Sequence, residues 1–141
     1  MMIKVIVDAN IILSALVGGE ITDILLSPKL EPIAPELLFV EVRKHKEEIK
    51  RKSCLSETEF EVLFAILEKR IAVVPALEFI DKFQEAEQLL KGHQKDAPYI
   101  ALALKLQCPF WTYEKRLQKI KDVNILGIGE IRKLIMTHSN T

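Results

Sequence analysis

Cysteine, glycine and aromatic residues are all scarce in this 141-residue chain, which has two Cys, five Gly, six Phe, two Tyr and one Trp. Cys54 and Cys108 are isolated and far apart, so the chain offers neither a disulfide-dense scaffold nor a Cys-rich metal site, and a reducing compartment is expected. The few Gly and six Pro, without any period, exclude collagen-like and low-complexity chains. No apolar run nears the roughly 18 residues needed to cross a bilayer. The apolar stretch at the N-terminus is interrupted by Asp8 and Asn10 and has no small-residue cleavage site behind it, so it reads as core and not as a signal. The expectation is a soluble cytoplasmic protein without a membrane partner. Excess charge is missing as well, with 20 basic against 20 acidic residues. Any nucleic-acid contact must therefore come from local segregation of charge.

What is present is 49% hydrophobic and 28% charged residues, enough for one domain over residues 1–141 that buries roughly two-thirds of the surface an unfolded chain exposes. The β-branched run over 3–7, broken only by Lys4, predicts a central strand buried on both faces. Helices are predicted over 10–16 and 22–26, a strand over 29–34, and a long helix over 35–52 with Pro35 at its first position. Ser56 and Glu59 form an S-x-x-E capping box, and Leu55 and Phe60 stand where a hydrophobic staple would. That helix has a core face of Phe60, Leu63, Phe64 and Leu67, and a second apolar face at Val62 and Ile66 that is either more core or a subunit interface. A strand over 71–75, a helix over 80–90, a polar connection over 91–95, a helix over 96–107, a strand over 109–112, a short helix over 114–120, a strand over 124–128 and a terminal helix over 130–137 complete the pattern. Strands alternating with helices predict an α/β fold with a parallel sheet covered on both faces. In such sheets ligands bind beyond the carboxyl ends of the strands.

The residues that follow the strands carry the chemistry. Asp8 directly follows Val5-Ile6-Val7 and precedes Ile11-Ile12-Leu13, where an uncompensated carboxylate is costly; it is either a site acid or a helix cap. Glu41 has apolar neighbours at i−4, i−3 and i+1, and points either inward or to solvent. Asp96 precedes a helix with Pro98 in its first turn, where capping alone would account for it, and Glu114 begins another helix, where the dipole would. Converging, the four carboxylates would form a hard-oxygen site suited to Mg²⁺ or Mn²⁺, and their mutual repulsion would raise pKa values and distort the site without the ion. Such ions neutralise phosphate and acidify water in phosphodiester hydrolysis. The basic run Arg43-Lys44-His45-Lys46, continued by Lys50-Arg51-Lys52, is either a solvated helix face or, with Lys91, Lys95, Lys115 and Arg116, part of a basic rim for a phosphate backbone. His45, His93 and His138 lie on polar segments and are expected to face solvent. Gly127-Ile128-Gly129 follows the last strand and lacks a third Gly, so it is not a dinucleotide fingerprint.

The segments Val7-Asp8-Ala9-Asn10-Ile11-Ile12-Leu13-Ser14-Ala15-Leu16, Glu41, Lys95-Asp96-Ala97-Pro98-Tyr99-Ile100-Ala101-Leu102-Ala103-Leu104 and Trp111-Thr112-Tyr113-Glu114-Lys115-Arg116-Leu117 together resemble the PIN domain (PilT N-terminus). That is a family of metal-dependent ribonucleases on a Rossmann-like parallel sheet. The resemblance spans nearly the whole chain and implies four to five strands with helices on both faces. It implies an acidic quartet of Asp8, Glu41, Asp96 and Glu114 that holds Mg²⁺ or Mn²⁺ and hydrolyses RNA, with Asn10 and Thr112 as polar supports; Lys44, Lys95, Lys115 and Arg116, taken from the charge pattern, are the substrate-binding candidates beside them. It implies a homodimer and, in many members, a toxin blocked by an antitoxin protein. One position departs from the family pattern, where Glu114 replaces the usual Asp; this leaves open a catalytically weak module that only binds RNA or protein. A phospho-accepting receiver domain shares the sheet but would want a second acid beside Asp8 and a Lys after the last strand. Ala9 and Gly127-Ile128-Gly129 supply neither.

Overall fold

Strands Ile3–Val7 (β1), Leu30–Pro35 (β2), Ala72–Val74 (β3), Phe110–Trp111 (β4) and Ile125–Leu126 (β5) pair in parallel in the order β3-β2-β1-β4-β5, in a computed structural model that describes residues 2–92 and 94–137. His93 and His138 lie outside the described residues. β1 is central because it is apolar on both faces. Val5, Ile6 and Val7 are wholly buried, with Ile6 paired to Ile33 on one side and Phe110 on the other. β3, at the edge, is short and largely exposed, which limits pairing with other chains.

The helices are Ala9–Val17 (α1), Glu20–Leu25 (α2), Leu37–Lys44 (α3), Lys46–Ser53 (α4), Glu57–Arg70 (α5), Phe83–Leu90 (α6), Ala97–Leu106 (α7) and Ile128–Thr137 (α8). The chain lays down β1, β2 and β3 towards one edge, then returns to place β4 on the other side of β1. Strand order therefore reverses at β1, and the crevice between the carboxyl ends of β1 and β4 is where such a sheet accepts ligands. Asp8 and Thr112 are the residues immediately after those two strands.

Four sequence expectations need correction. Pro35 ends β2 and does not open a helix; the single helix expected over 35–52 is broken at His45 (φ −101°, ψ 12°) into α3 and α4. The break turns α4 so that Ile49, its one buried residue, packs at 3% exposure beside α1. For three residues of the basic run the rim reading fails. Arg43 makes a two-pronged ion pair with Glu61 (3.0 and 3.1 Å) and lies 4.2 Å from the Phe64 ring centre, while Lys46 pairs with Glu57 and Glu61 and Lys50 with Glu57. These are surface pairs that dock α3 and α4 on α5 more than they stabilise the fold. The helices expected over 80–90 and 114–120 begin as, or consist of, 3-10 turns at Ile80–Lys82 and Lys115–Lys119. The strand expected over 124–128 stops at Leu126, because Gly127 N–H donates to Glu130 Oε1 (3.0 Å) and starts α8.

The capping box at Ser56 is present in full, with Ser56 Oγ accepting from Glu59 N–H and Glu59 Oε1 accepting from Ser56 N–H. On α5, Phe60, Phe64 and Leu67 are buried, Leu63 is half-buried, and Val62 and Ile66 are exposed. Among the described residues no helix is long and apolar enough to cross a membrane. At the end of α5, the half-buried Arg70 guanidinium donates to the carbonyls of Leu25, Ser27 and Leu30, closing the connection from α2 to β2. Arg70→Ala would leave three carbonyls with one partner fewer each, and should lower the urea midpoint by the equivalent of about 1–3 kcal/mol with an unchanged m-value. Arg70→Lys, with a single nitrogen, should recover only part of the loss.

Candidate active site

Asp8 ends β1 in an extended conformation and caps α1, its Oδ1 accepting from Ile11 N–H at 3.1 Å. Capping uses only one of its oxygens. Oδ2 accepts a short bond from the Thr112 hydroxyl (2.5 Å), so the cap to α1 and a tie to the end of β4 share one side chain. Thr112 is held in turn by its own N–H on Leu126 O (3.1 Å), and its hydroxyl accepts from Glu114 N–H (3.0 Å). Both side chains are buried, at 7% exposure for Asp8 and 4% for Thr112. Burial is the main force on the Asp8 carboxyl and pushes its pKa up to about 6. The bonds from Thr112 and Ile11 oppose this, and the charge of Asp96 adds to it.

Asp96 is half-buried at the end of a 3-10 turn, Gln94–Asp96, and its side chain makes no capping bond to α7. The plain N-cap allowed by the sequence is thus not what is formed. Lys91 (φ 47°) and Gly92 (φ 106°), a left-handed pair, end α6, and Gly92 borders the same cleft as Asp96. Glu41, half-buried on α3, accepts from the hydroxyl of Tyr99 at 2.8 Å. Glu114 is half-buried, and its Oε1 accepts from Arg116 Nε at 2.9 Å.

The four acids border two adjoining cavities. A cleft of about 490 Å³ is lined by Asp8, Asn10, Lys95, Asp96, Glu114 and Arg116 among others. A pocket of about 110 Å³ is lined by Asp8, Asn10, Glu41, Lys95, Asp96 and Tyr99 among others. Asp8, Asn10, Lys95 and Asp96 are common to both, with Glu41 on one side and Glu114 on the other. Lys44 and Lys115 are exposed and line neither cavity. His45, expected to face solvent, is exposed but borders the smaller pocket.

Tyr99 is the residue that reading the acids overlooked. It is 2% exposed, its ring stacks on Phe110 at 5.7 Å, and its hydroxyl pKa is raised by burial, then by its bond to Glu41, then by the charges of Glu41, Asp8 and Asp96. One phenol therefore senses three of the four carboxylates. A signal was available, because a Tyr in the apolar helix that follows Asp96 must find a partner for its hydroxyl.

A hard-oxygen donor set with surplus negative charge fits a divalent cation. Among the described residues no three carboxylate, imidazole or thiol groups converge closely enough to share one ion. The four carboxylates expected to converge thus border a common region without closing on one point. The PIN domain family model matches residues 6–126. The chain belongs to the PIN domain family. PIN domains are generally nucleases that use divalent metal ions, which puts this chain, at that coarse level, among hydrolases. The crystal structure of PAE2754 from Pyrobaculum aerophilum is similar to this PIN domain over the whole of both chains, with a TM-score of 0.65 at 17% identity, a likeness of fold. No curated protein matches the sequence.

The raised carboxyl of this PIN domain has a consequence for stability. The pKa of Asp8 is about 6 in the folded state against 3.8 ordinarily, so the folded state binds the proton more tightly. Stability is then lost as pH rises through the window from about 4 to 6, by up to about 3 kcal/mol. In chelator, Asp8→Asn should unfold at a higher temperature than the parent at pH 8, and the gap should close as the pH falls to 4. A variant less stable than the parent at pH 8 would contradict this electrostatic account.

Proposed function

We propose that this PIN domain is a divalent-metal-dependent endoribonuclease that hydrolyses RNA phosphodiester bonds, with Asp8, Glu41, Asp96 and Glu114 as its working acids. The observation that carries the reading is the buried Asp8 carboxylate, kept in place by Thr112 and Ile11 and loaded by the charge of Asp96 on the border of both cavities. A Mg²⁺ or Mn²⁺ ion held by Asp8 and Asp96 would neutralise the phosphate and acidify the attacking water.

The chain's own groups divide the remaining work. Thr112 fixes the rotamer of Asp8, as outer-shell partners of ligating carboxylates do. Tyr99 occupies Oε1 of Glu41, which leaves Oε2 to orient a water or accept its proton. Lys95 and Arg116 bring cationic groups to a cleft otherwise rich in carboxylates, where a phosphate must be admitted. Arg116 also borders a neighbouring groove of about 470 Å³ lined by Lys91, Lys119 and Lys121 together with Asp122. A toxin role with an antitoxin covering the cleft, a cytoplasmic setting and a homodimer through the exposed Val62 and Ile66 face of α5 belong to the same proposal.

A second reading, a PIN-like module that binds RNA or protein without turnover, is favoured by one feature: Glu114, the departure from the family pattern, already has its carboxylate on Arg116. Cleavage of a labelled RNA in Mn²⁺ separates the two. The nuclease reading predicts cleavage by the parent and none detectable by Asp8→Asn with its fold intact by circular dichroism. Undiminished cleavage by the variant refutes the nuclease assignment, and a parent that neither takes up Mn²⁺ nor cleaves supports the binding module.

A further inference from the structure

Of the nine aromatic side chains, all within the described residues, eight are buried or half-buried and Tyr113 alone is exposed, at 44%. Its backbone is pinned to the site, because Tyr113 lies between Thr112, whose hydroxyl holds Asp8, and Glu114, whose N–H holds Thr112. Its ring is tethered as well, the hydroxyl donating to Ser14 Oγ of α1 at 3.2 Å. The ring walls a groove of about 530 Å³, with Leu13 and Val17 of α1 on one flank and His45 and Ile49 on the other. Asn10 borders this groove and both of the acidic cavities. The groove thus adjoins the cleft in which a scissile phosphate would sit. Its surface is mainly apolar, with Asn10 and Ser14 offering hydrogen-bonding groups and Glu48 and Lys52 adding one charge of each sign.

We infer that Tyr113 is a substrate-positioning residue on which the base of a nucleotide next to the scissile phosphate stacks. This rests on the proposal that the acidic cleft receives a nucleic-acid strand. The physical ground is that an exposed aromatic face gains about 1–3 kcal/mol per stacked base, whichever the base, and each base has such a face. The occupant is a nucleobase because the groove adjoins the phosphate position directly. A base in the groove and a phosphate in the cleft are then neighbours on one strand. The groove that shares Arg116 with the cleft offers Lys91, Lys119 and Lys121, beside Asp122, to the next phosphates.

The probe is a set of single-stranded oligoribonucleotides with 2-aminopurine moved one position at a time, bound to the Asp8→Asn chain in chelator. At one position the fluorescence should be quenched on binding. Adding Tyr113→Ala should remove that quench and weaken binding by roughly 5- to 150-fold. Tyr113→Phe, which keeps the ring and loses the Ser14 bond, should retain the quench. A merely structural role for Tyr113 would not move a position-specific fluorescence signal. Binding and quenching by Tyr113→Ala equal to those of Asp8→Asn alone, or no quench at any position with Tyr113 intact, overturns the inference. The two proposals fail separately. Cleavage that survives Asp8→Asn removes the nuclease reading and leaves a Tyr113-dependent quench standing, whereas Asp8-dependent cleavage with an indifferent Tyr113→Ala removes only the stack.

Discussion

A single buried carboxylate ties the end of β1 to the end of β4, beyond their backbone pairing, at the point where strand order reverses. Asp8 leaves β1 and binds the first turn of α1 with one oxygen and the Thr112 hydroxyl at the end of β4 with the other. Thr112 passes the connection on to the Glu114 backbone and, through its own N–H, to β5. The Glu114 segment is thus tied to Asp8 by one buried oxygen and one hydroxyl as well as by the backbone pairing of β4. The cost of that arrangement is electrostatic. An ionised carboxylate held out of water, close enough to Asp96 to sense its charge, is destabilised by burial first and by repulsion second. The same tension that weakens the fold makes the cleft receptive to positive charge, which is the general relation between stability and working sites.

The surroundings make sense as management of that charge. Tyr99 contributes a phenol that stays protonated because it is buried against Glu41 and within reach of the charges of Asp8 and Asp96. It satisfies one oxygen of Glu41 without neutralising it. Arg116 holds Glu114 and also senses Asp96, so the cationic side of the cleft is attached to its acidic side. Three basic residues of α3 and α4 are engaged elsewhere. Glu57 and Glu61 of α5 occupy Arg43, Lys46 and Lys50, leaving Lys95 and Arg116 as the cations that border the larger cleft.

Much of this could be read from the sequence where the cause is local. The β-branched run before Asp8 marks a buried strand, and the capping box at Ser56 depends on residues three apart, so both are found where expected. The sheet and its position relative to Asp8 follow from alternation of strands and helices. The break at His45 was not legible, because it depends on Ile49 finding α1, which is a tertiary event. The fate of the basic run was hidden for the same reason, since its partners lie on another helix. Asp96 and Glu114 were each ambiguous as isolated acids next to helix starts, and only the fold puts them on one cleft with Asp8. That the Tyr99 hydroxyl needs a partner could be inferred from its apolar helix, but not that the partner is Glu41, 58 residues away.

The central claim is that Asp8 sits in an electrostatic tension that a divalent cation relieves. Selective ¹³C labelling of aspartate carboxyls allows the titration of Asp8 to be followed by NMR in chelator and again in Mg²⁺. In chelator its midpoint should lie near pH 6, and with Mg²⁺ it should fall well into the ordinary carboxylate range or below. A midpoint already ordinary in chelator, or one near 6 that Mg²⁺ leaves unmoved, would contradict the account.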